Sequence, residues 1–170
     1  MLSLTLGCMF AGKTSSLIRD IPKENQTQSL VIDYDISQRA APYSSTLYSH
    51  DNVGVPCIKT SDLSKLDISI FDTILINEAQ FFKGLIDFVK LALEDDKHVL
   101  VYGLDGDFKQ DMFGEILFLI PICDTYVKLY ATCDCGKRAP FSKRLSKNKD
   151  QYMPDDKYVA SCRSCFTFGV

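Results

Sequence analysis

The segment GCMFAGKT, residues 7–14, places Gly7, Gly12, Lys13 and Thr14 in the spacing G-x-x-x-x-G-K-[ST]. That spacing suits the holding of phosphate. Glycines let the backbone curl until successive N–H groups point at the same oxygens, and a following helix adds its positive end. An ammonium at Lys13 can reach β- and γ-phosphates, and a hydroxyl at Thr14 can reach Mg²⁺. Gly7, Cys8, Met9, Phe10, Ala11, Gly12, Lys13 and Thr14 are therefore candidate nucleotide-binding residues. The competing explanation is a chance glycine turn with a surface lysine. It leaves unexplained the strand-like run LSLTL before the loop and the helical run after it.

Two further groups could do chemistry. The run ILINEAQFF, residues 74–82, ends an apolar strand with Asn77 and Glu78. A carboxylate at a strand's carboxyl end beside a phosphate loop is placed to act as general base on an attacking hydroxyl. The structural alternative is that Glu78 caps a following helix. Then there are seven cysteines, four of them in pairs near the end: Cys133 with Cys135, and Cys162 with Cys165. Four thiolates from two knuckles suit tetrahedral, structural Zn²⁺. The alternative is four reduced, metal-free thiols.

Elements must position these groups. Residues 2–6, 29–34, 72–82 and 98–106 read as buried parallel strands. Helical spacing covers about 14–19 and 85–97, the latter with apolar residues at 85, 86, 88, 89, 91 and 93. Residues 115–131 accommodate a short helical turn and another strand around Pro121. Strand–helix alternation predicts an α/β chain with a wound, mainly parallel sheet of the phosphate-loop NTPase kind. Composition turns polar, basic and cysteine-bearing near residue 132, which predicts a main domain over 1–131 and a small zinc-bearing subdomain over 132–170. Residues 37–52 and 143–157 read as long loops, and long loops in compact domains are often functional.

Composition excludes several classes. With 170 residues, 46% hydrophobic and 24% charged, the chain suits one sizeable core. A net charge of −3 gives no electrostatic reason for nucleic-acid binding. No apolar run approaches the roughly 20 residues that cross a bilayer, and no secretory signal is legible at the N-terminus. An odd cysteine count without an export signal argues against a disulfide scaffold. A cytoplasmic protein is the expectation.

The motifs GCMFAGKT, NEAQFF, LDGDFKQDMFGEI, SKR at 142–144 and DDKYVASCRSC follow one another in an order that resembles the type II thymidine kinases, the cellular and poxvirus-like family. The resemblance spans essentially the whole chain. It implies transfer of the γ-phosphate of ATP to the 5′-hydroxyl of thymidine, giving dTMP as a DNA precursor. It implies Glu78 as catalytic base, with ATP and Mg²⁺ held by the loop together with Arg39, Asn77 and Gln80. Met9, Phe81, Leu104, Phe108, Phe113 and Tyr158 would surround the nucleoside, and Tyr152 and Met153 would belong to a lasso-like loop over the thymine. The four cysteines would hold structural zinc. The family commonly forms tetramers, which implies a homo-oligomer. Four features depart from the family pattern. Asn77 stands in place of an aspartate, Ser37 in place of the aspartate of a D-x-R motif, and the first cysteine pair is C-x-C rather than C-x-x-C. The loop before DDKY is also shorter and has Met153 and Pro154 where the family has a glycine pair. Two other functions remain open on the residues alone: a weakened or inactive nucleotide-binding homologue, and a different phosphate-loop NTPase with water as acceptor.

Overall fold

The computed structural model describes residues 1–23, 28–39 and 41–168. Ala40 of the expected 37–52 loop and the last two residues of the expected subdomain lie outside them. The main sheet has seven strands: β1 (Leu2–Gly7), β2 (Ser29–Tyr34), β3 (Tyr43–Tyr48), β4 (Gly54–Thr60), β5 (Thr73–Ile76), β6 (His98–Gly103) and β7 (Thr125–Leu129). Their order is β3-β4-β2-β5-β6-β1-β7, and every neighbouring pair is parallel except β3 with β4. The carboxyl ends of the parallel strands therefore share one side, where open α/β sheets bind ligands.

Period-2 alternation sends side chains to two apolar layers. Leu2, Leu4, Leu6, Leu30, Ile32, Ile74, Ile76, Val99 and Val101 pack with Leu85, Val89 and Ala92 of α2 (Leu85–Glu94). On the other face Val31, Leu75 and Tyr102 pack with Leu17 of α1 (Lys13–Asp20). Burial on both faces is why these strands read as continuous apolar runs. The Tyr102 hydroxyl donates to Asp20 at 2.8 Å and ties the end of α1 to the sheet.

The structure corrects the reading of 37–52 as a loop, since Tyr43–Tyr48 form β3. This strand lies at the sheet's edge and buries only Leu47, so its sequence YSSTLY carries little apolar signal. Its partner β4 contains Pro56 opposite Thr46, a residue that argues against a strand. The pairing of β4 with β2 runs only over Ile58–Thr60, so proline's missing N–H falls outside that ladder. A 3₁₀ turn over Ile116–Ile122 precedes β7.

Beyond β7 lie two small antiparallel pairs. One joins β8 (Ala131–Thr132) to β9 (Arg138–Ala139), the other β10 (Phe141–Arg144) to β11 (Tyr158–Ser161), and α3 (Arg163–Phe168) follows. Residues 145–157 carry neither strand nor helix. Among the described residues no helix is long and apolar enough to cross a membrane.

Candidate active site

The phosphate loop leaves β1 through Gly7, whose φ is +153°. A Cβ there would meet the Leu129 carbonyl oxygen at 2.7 Å, so the close approach of β7 requires glycine. Gly12 takes a left-handed φ of +81° and opens α1. The Lys13 ammonium closes the curl by donating to the Cys8 carbonyl at 2.8 Å. Burial pushes its pKa below the ordinary lysine value, while the carboxylate of Glu78 opposes the shift. The loop is braced from β9 and β10 as well. The Met9 N–H donates to Ser142 Oγ at 2.9 Å, and the Cys8 thiol donates to the Ala139 carbonyl at 3.1 Å.

A cavity of about 370 Å³ lies over the carboxyl ends of the sheet. Met9, Phe10, Ala11, Gly12, Lys13 and Thr14 form its wall on the phosphate-loop side, whereas Gly7 and Cys8 are not part of the wall. Glu78 lines the same cavity with a left-handed backbone, φ +51° and ψ 40°. Such a conformation costs a non-glycine residue about 1–2 kcal/mol and is found at functional sites. The side chain makes no capping bond to the turn that follows it, Ala79–Phe81. The start of α2 is bonded instead by Glu115, which accepts from the N–H groups of Gly84 and Ile86. Gln80, buried, donates from Nε2 to Glu78 Oε2 at 2.6 Å, and its Oε1 accepts the Leu104 N–H at 2.9 Å. It thus fixes the Glu78 carboxylate from behind. Gly114, at φ +63°, lies so close that a Cβ would meet the Gln80 carbonyl at 2.0 Å.

Asn77 does not stand alone. Its Nδ2 donates to Asp33 Oδ1 at 2.8 Å, and Asp33 Oδ2 pairs with Lys59 Nζ at 3.3 Å. All three line the cavity. The carboxylate that the family pattern places at 77 is thus found one strand away, at the end of β2. The Thr14 hydroxyl and the Asp33 carboxylate are hard oxygen donors in the cavity wall, so the donor set suits Mg²⁺.

The other end of the cavity is aromatic. Phe81 stacks on Tyr34 (5.1 Å between centroids, 30°), meets Phe113 edge-on (5.2 Å, 83°) and meets Tyr152 at 4.6 Å. Leu104, Phe108 and Tyr158 complete this wall. Burial and the nearby Glu78 raise the pKa of the Tyr152 hydroxyl. Met153 sits outside the wall, and its N–H donates to the Tyr158 hydroxyl at 3.3 Å. Arg39 is also outside it. Its guanidinium lies 4.4 Å over the Tyr43 ring, and its N–H donates to Asp35 Oδ2.

Four thiols converge below the phosphate loop. The Sγ atoms of Cys133, Cys135, Cys162 and Cys165 all lie within 4.8 Å of one another, with Cys135 and Cys162 at 3.6 Å. A tetrahedral site with Zn–S bonds of about 2.3 Å separates its sulfurs by about 3.8 Å, so the cluster fits zinc. The C-x-C pair reaches because a tight turn follows it. Gly136, at φ +80°, donates its N–H to the Cys133 carbonyl at 2.7 Å, and the Cys133 N–H donates to Lys137. Hydrogen bonds from the backbone N–H groups of Cys162 and Cys135 hold the Cys133 thiol well below its usual range.

Asp33, Lys59, Tyr34, Asp107 and Arg144 were not among the candidates read from the sequence, whereas Gln151 was, as the first residue of the 151–153 stretch over the base. Asp33 had a signal, a carboxylate at the end of a buried strand. The others become neighbours only through strand order and loop folding.

A family model described as thymidine kinase matches residues 1–166. The chain belongs to the thymidine kinase family. It is similar to the thymidine kinase of sheeppox virus, 36% identical over 96% of this chain and 94% of that protein. Vaccinia virus thymidine kinase (strain Western Reserve) is 34% identical over 97% of this chain and 96% of its own length. A rice thymidine kinase is 38% identical over 96% of this chain, which covers 65% of that longer protein. A thymidine kinase is a phosphotransferase, and the cavity of this chain has the glycine-rich loop at one end and an aromatic slot at the other.

Proposed function

We propose that this enzyme transfers the γ-phosphate of ATP to the 5′-hydroxyl of thymidine, giving dTMP for DNA precursor synthesis. One observation supports the reading above others. Glu78, held by Gln80, lines the same cavity as Lys13 of the phosphate loop and Tyr152 of the aromatic slot, so one carboxylate faces the space shared by donor and acceptor. The loop N–H groups and Lys13 hold the β- and γ-phosphates. Mg²⁺ bound with the nucleotide neutralises charge on the phosphate oxygens, and Thr14 with the Asn77–Asp33 pair would hold it. Phe81, Phe113, Phe108 and Leu104 enclose the thymine, with Met9 toward the sugar. The 5′-hydroxyl gives its proton to Glu78 as its oxygen bonds to the γ-phosphorus, and ADP departs with the bridging oxygen. Closed four-thiolate zinc is structural and takes no part in the transfer.

Purified protein incubated with ATP, Mg²⁺ and each common deoxynucleoside tests this. The expected result is dTMP from thymidine, reduced about 10²- to 10⁴-fold in Glu78→Gln with ATP binding intact. ADP release without any nucleoside would mean water is the acceptor, and bound nucleotide without turnover would mean an inactive homologue. The family resemblance extends the reading to a cytoplasmic homo-oligomer. Light scattering would read the assembly.

A further inference from the structure

Arg144 ends β10, and its side chain is 0% exposed. A guanidinium stays charged in any protein environment, so a buried one must be held on every side. Here the partners nearly all come from one segment. Nη1 donates to the Asn148 carbonyl at 3.1 Å and to the Asp150 carbonyl, and Nη2 donates to the Gln151 carbonyl at 3.3 Å. Nε and Nη2 both donate to the Tyr158 hydroxyl, and Asp156 supplies the counter-charge at 3.3 Å. Residues 145–157 have no strand or helix of their own, so one cation gathers carbonyls that no ladder satisfies.

The flat face of the same guanidinium lies 3.9 Å over the ring of Phe108. Past the gathered carbonyls, Gln151 Nε2 donates to Asp107 Oδ2 and to the Met112 carbonyl, and Tyr152 packs on Phe81. The edge of the guanidinium thus fixes the loop, and its face fixes one wall of the slot that the loop covers.

We infer that Arg144 is the positioning residue of the nucleoside slot, holding the loop through Gln151 and Tyr152 in register with Phe108 before the nucleoside arrives. This rests on the reading of the aromatic slot as the nucleoside site. A lysine cannot replace it, because an ammonium is a point charge without the planar fork or the stacking face.

The test pairs kinetics with limited trypsin cleavage of the loop, which carries Lys147, Lys149 and Lys157. In Arg144→Lys the KM for thymidine is expected to rise about 10- to 100-fold with the KM for ATP unchanged. Cleavage after the three lysines should quicken without nucleoside present. Unchanged thymidine KM and unchanged cleavage overturn the inference. So does an equal loss in both KM values with a lowered Tm, which is what a merely structural arginine gives. If Arg144→Lys fails to fold, Asp156→Asn removes the counter-charge together with one acceptor for Ser146 or the Lys157 N–H, and the same selective rise of a few-fold is expected; equal KM values to wild type overturn the inference. If wild-type protein does not use thymidine, the nucleoside reading fails by itself. Loop cleavage then still decides whether Arg144 holds the segment.

Discussion

Asn77 shows how a single amide is read through its neighbour. Its Nδ2 rests on a carboxylate, Asp33, that is itself paired with Lys59. Asn77→Asp would place two carboxylates in hydrogen-bond contact, and one of them would titrate well above the usual range. The sign follows directly. Above that raised pKa both groups are charged and repel, so the variant is destabilised against wild type. As pH falls and one proton is bound, the difference shrinks. The Tm gap between Asn77→Asp and wild type is expected to be several degrees at pH 8 and smaller at pH 5.5. Moving the charge in Asp33→Asn/Asn77→Asp should recover much of the loss, and a double variant no better than the single would sink the idea of an exchangeable charge. Lys13, Thr14 and Glu78 were legible because their spacing along the chain carries the signal, and Phe81 entered only through the family resemblance. Asp33, Lys59 and Arg144 were not, because β2 lies beside β5 and the 145–157 segment wraps Arg144 only in three dimensions.

At the scale of elements, the turn between β2 and β3 hangs on one carboxylate. Asp35 Oδ1 accepts from the Ser37 N–H, the Ser37 hydroxyl and the Tyr43 hydroxyl, and Oδ2 accepts the Arg39 N–H. Burial acts to raise its pKa, but these hydrogen bonds outweigh it and hold the carboxyl below the usual carboxylate value. A depressed folded pKa means that the contribution is complete above the unfolded value of about 3.9 and is lost as pH falls through the folded one. Asp35→Asn should therefore be less stable than wild type near neutral pH, and the gap should close in denaturant titrations as pH falls below the usual carboxylate value and through the depressed folded one. A gap that stays constant across that range would place the stabilisation elsewhere. The strands buried on both faces were legible as apolar runs. β3 and β4 were not, since one is a polar edge strand and the other carries Pro56 beyond its inner ladder. The C-x-C knuckle works through Gly136, whose left-handed backbone makes up for the missing spacer residue.

Across the whole molecule, the compositional break near residue 132 marks a change of architecture but not a gap in packing. Cys8 of the phosphate loop shares an apolar cluster with Cys133, Ala139, Ala160 and Cys162. The Met9 N–H reaches over to Ser142 on β10. The glycine-rich loop after β1 and the thiols that suit zinc are therefore in direct packing contact, which no local pattern in the sequence announced. Thermodynamic linkage gives this closeness a consequence. Two ligands that stiffen one shared cluster must help each other equally, so whatever zinc adds to ATP affinity, ATP adds to the retention of zinc. In an equilibrium titration against a competing chelator, the protein should hold the metal about 5-fold more tightly when ATP saturates it. Identical metal affinity with and without nucleotide would mean that the two grips are mechanically separate. If they are joined, scarcity of the metal would register first as a weakened hold on ATP, while the fold was still intact.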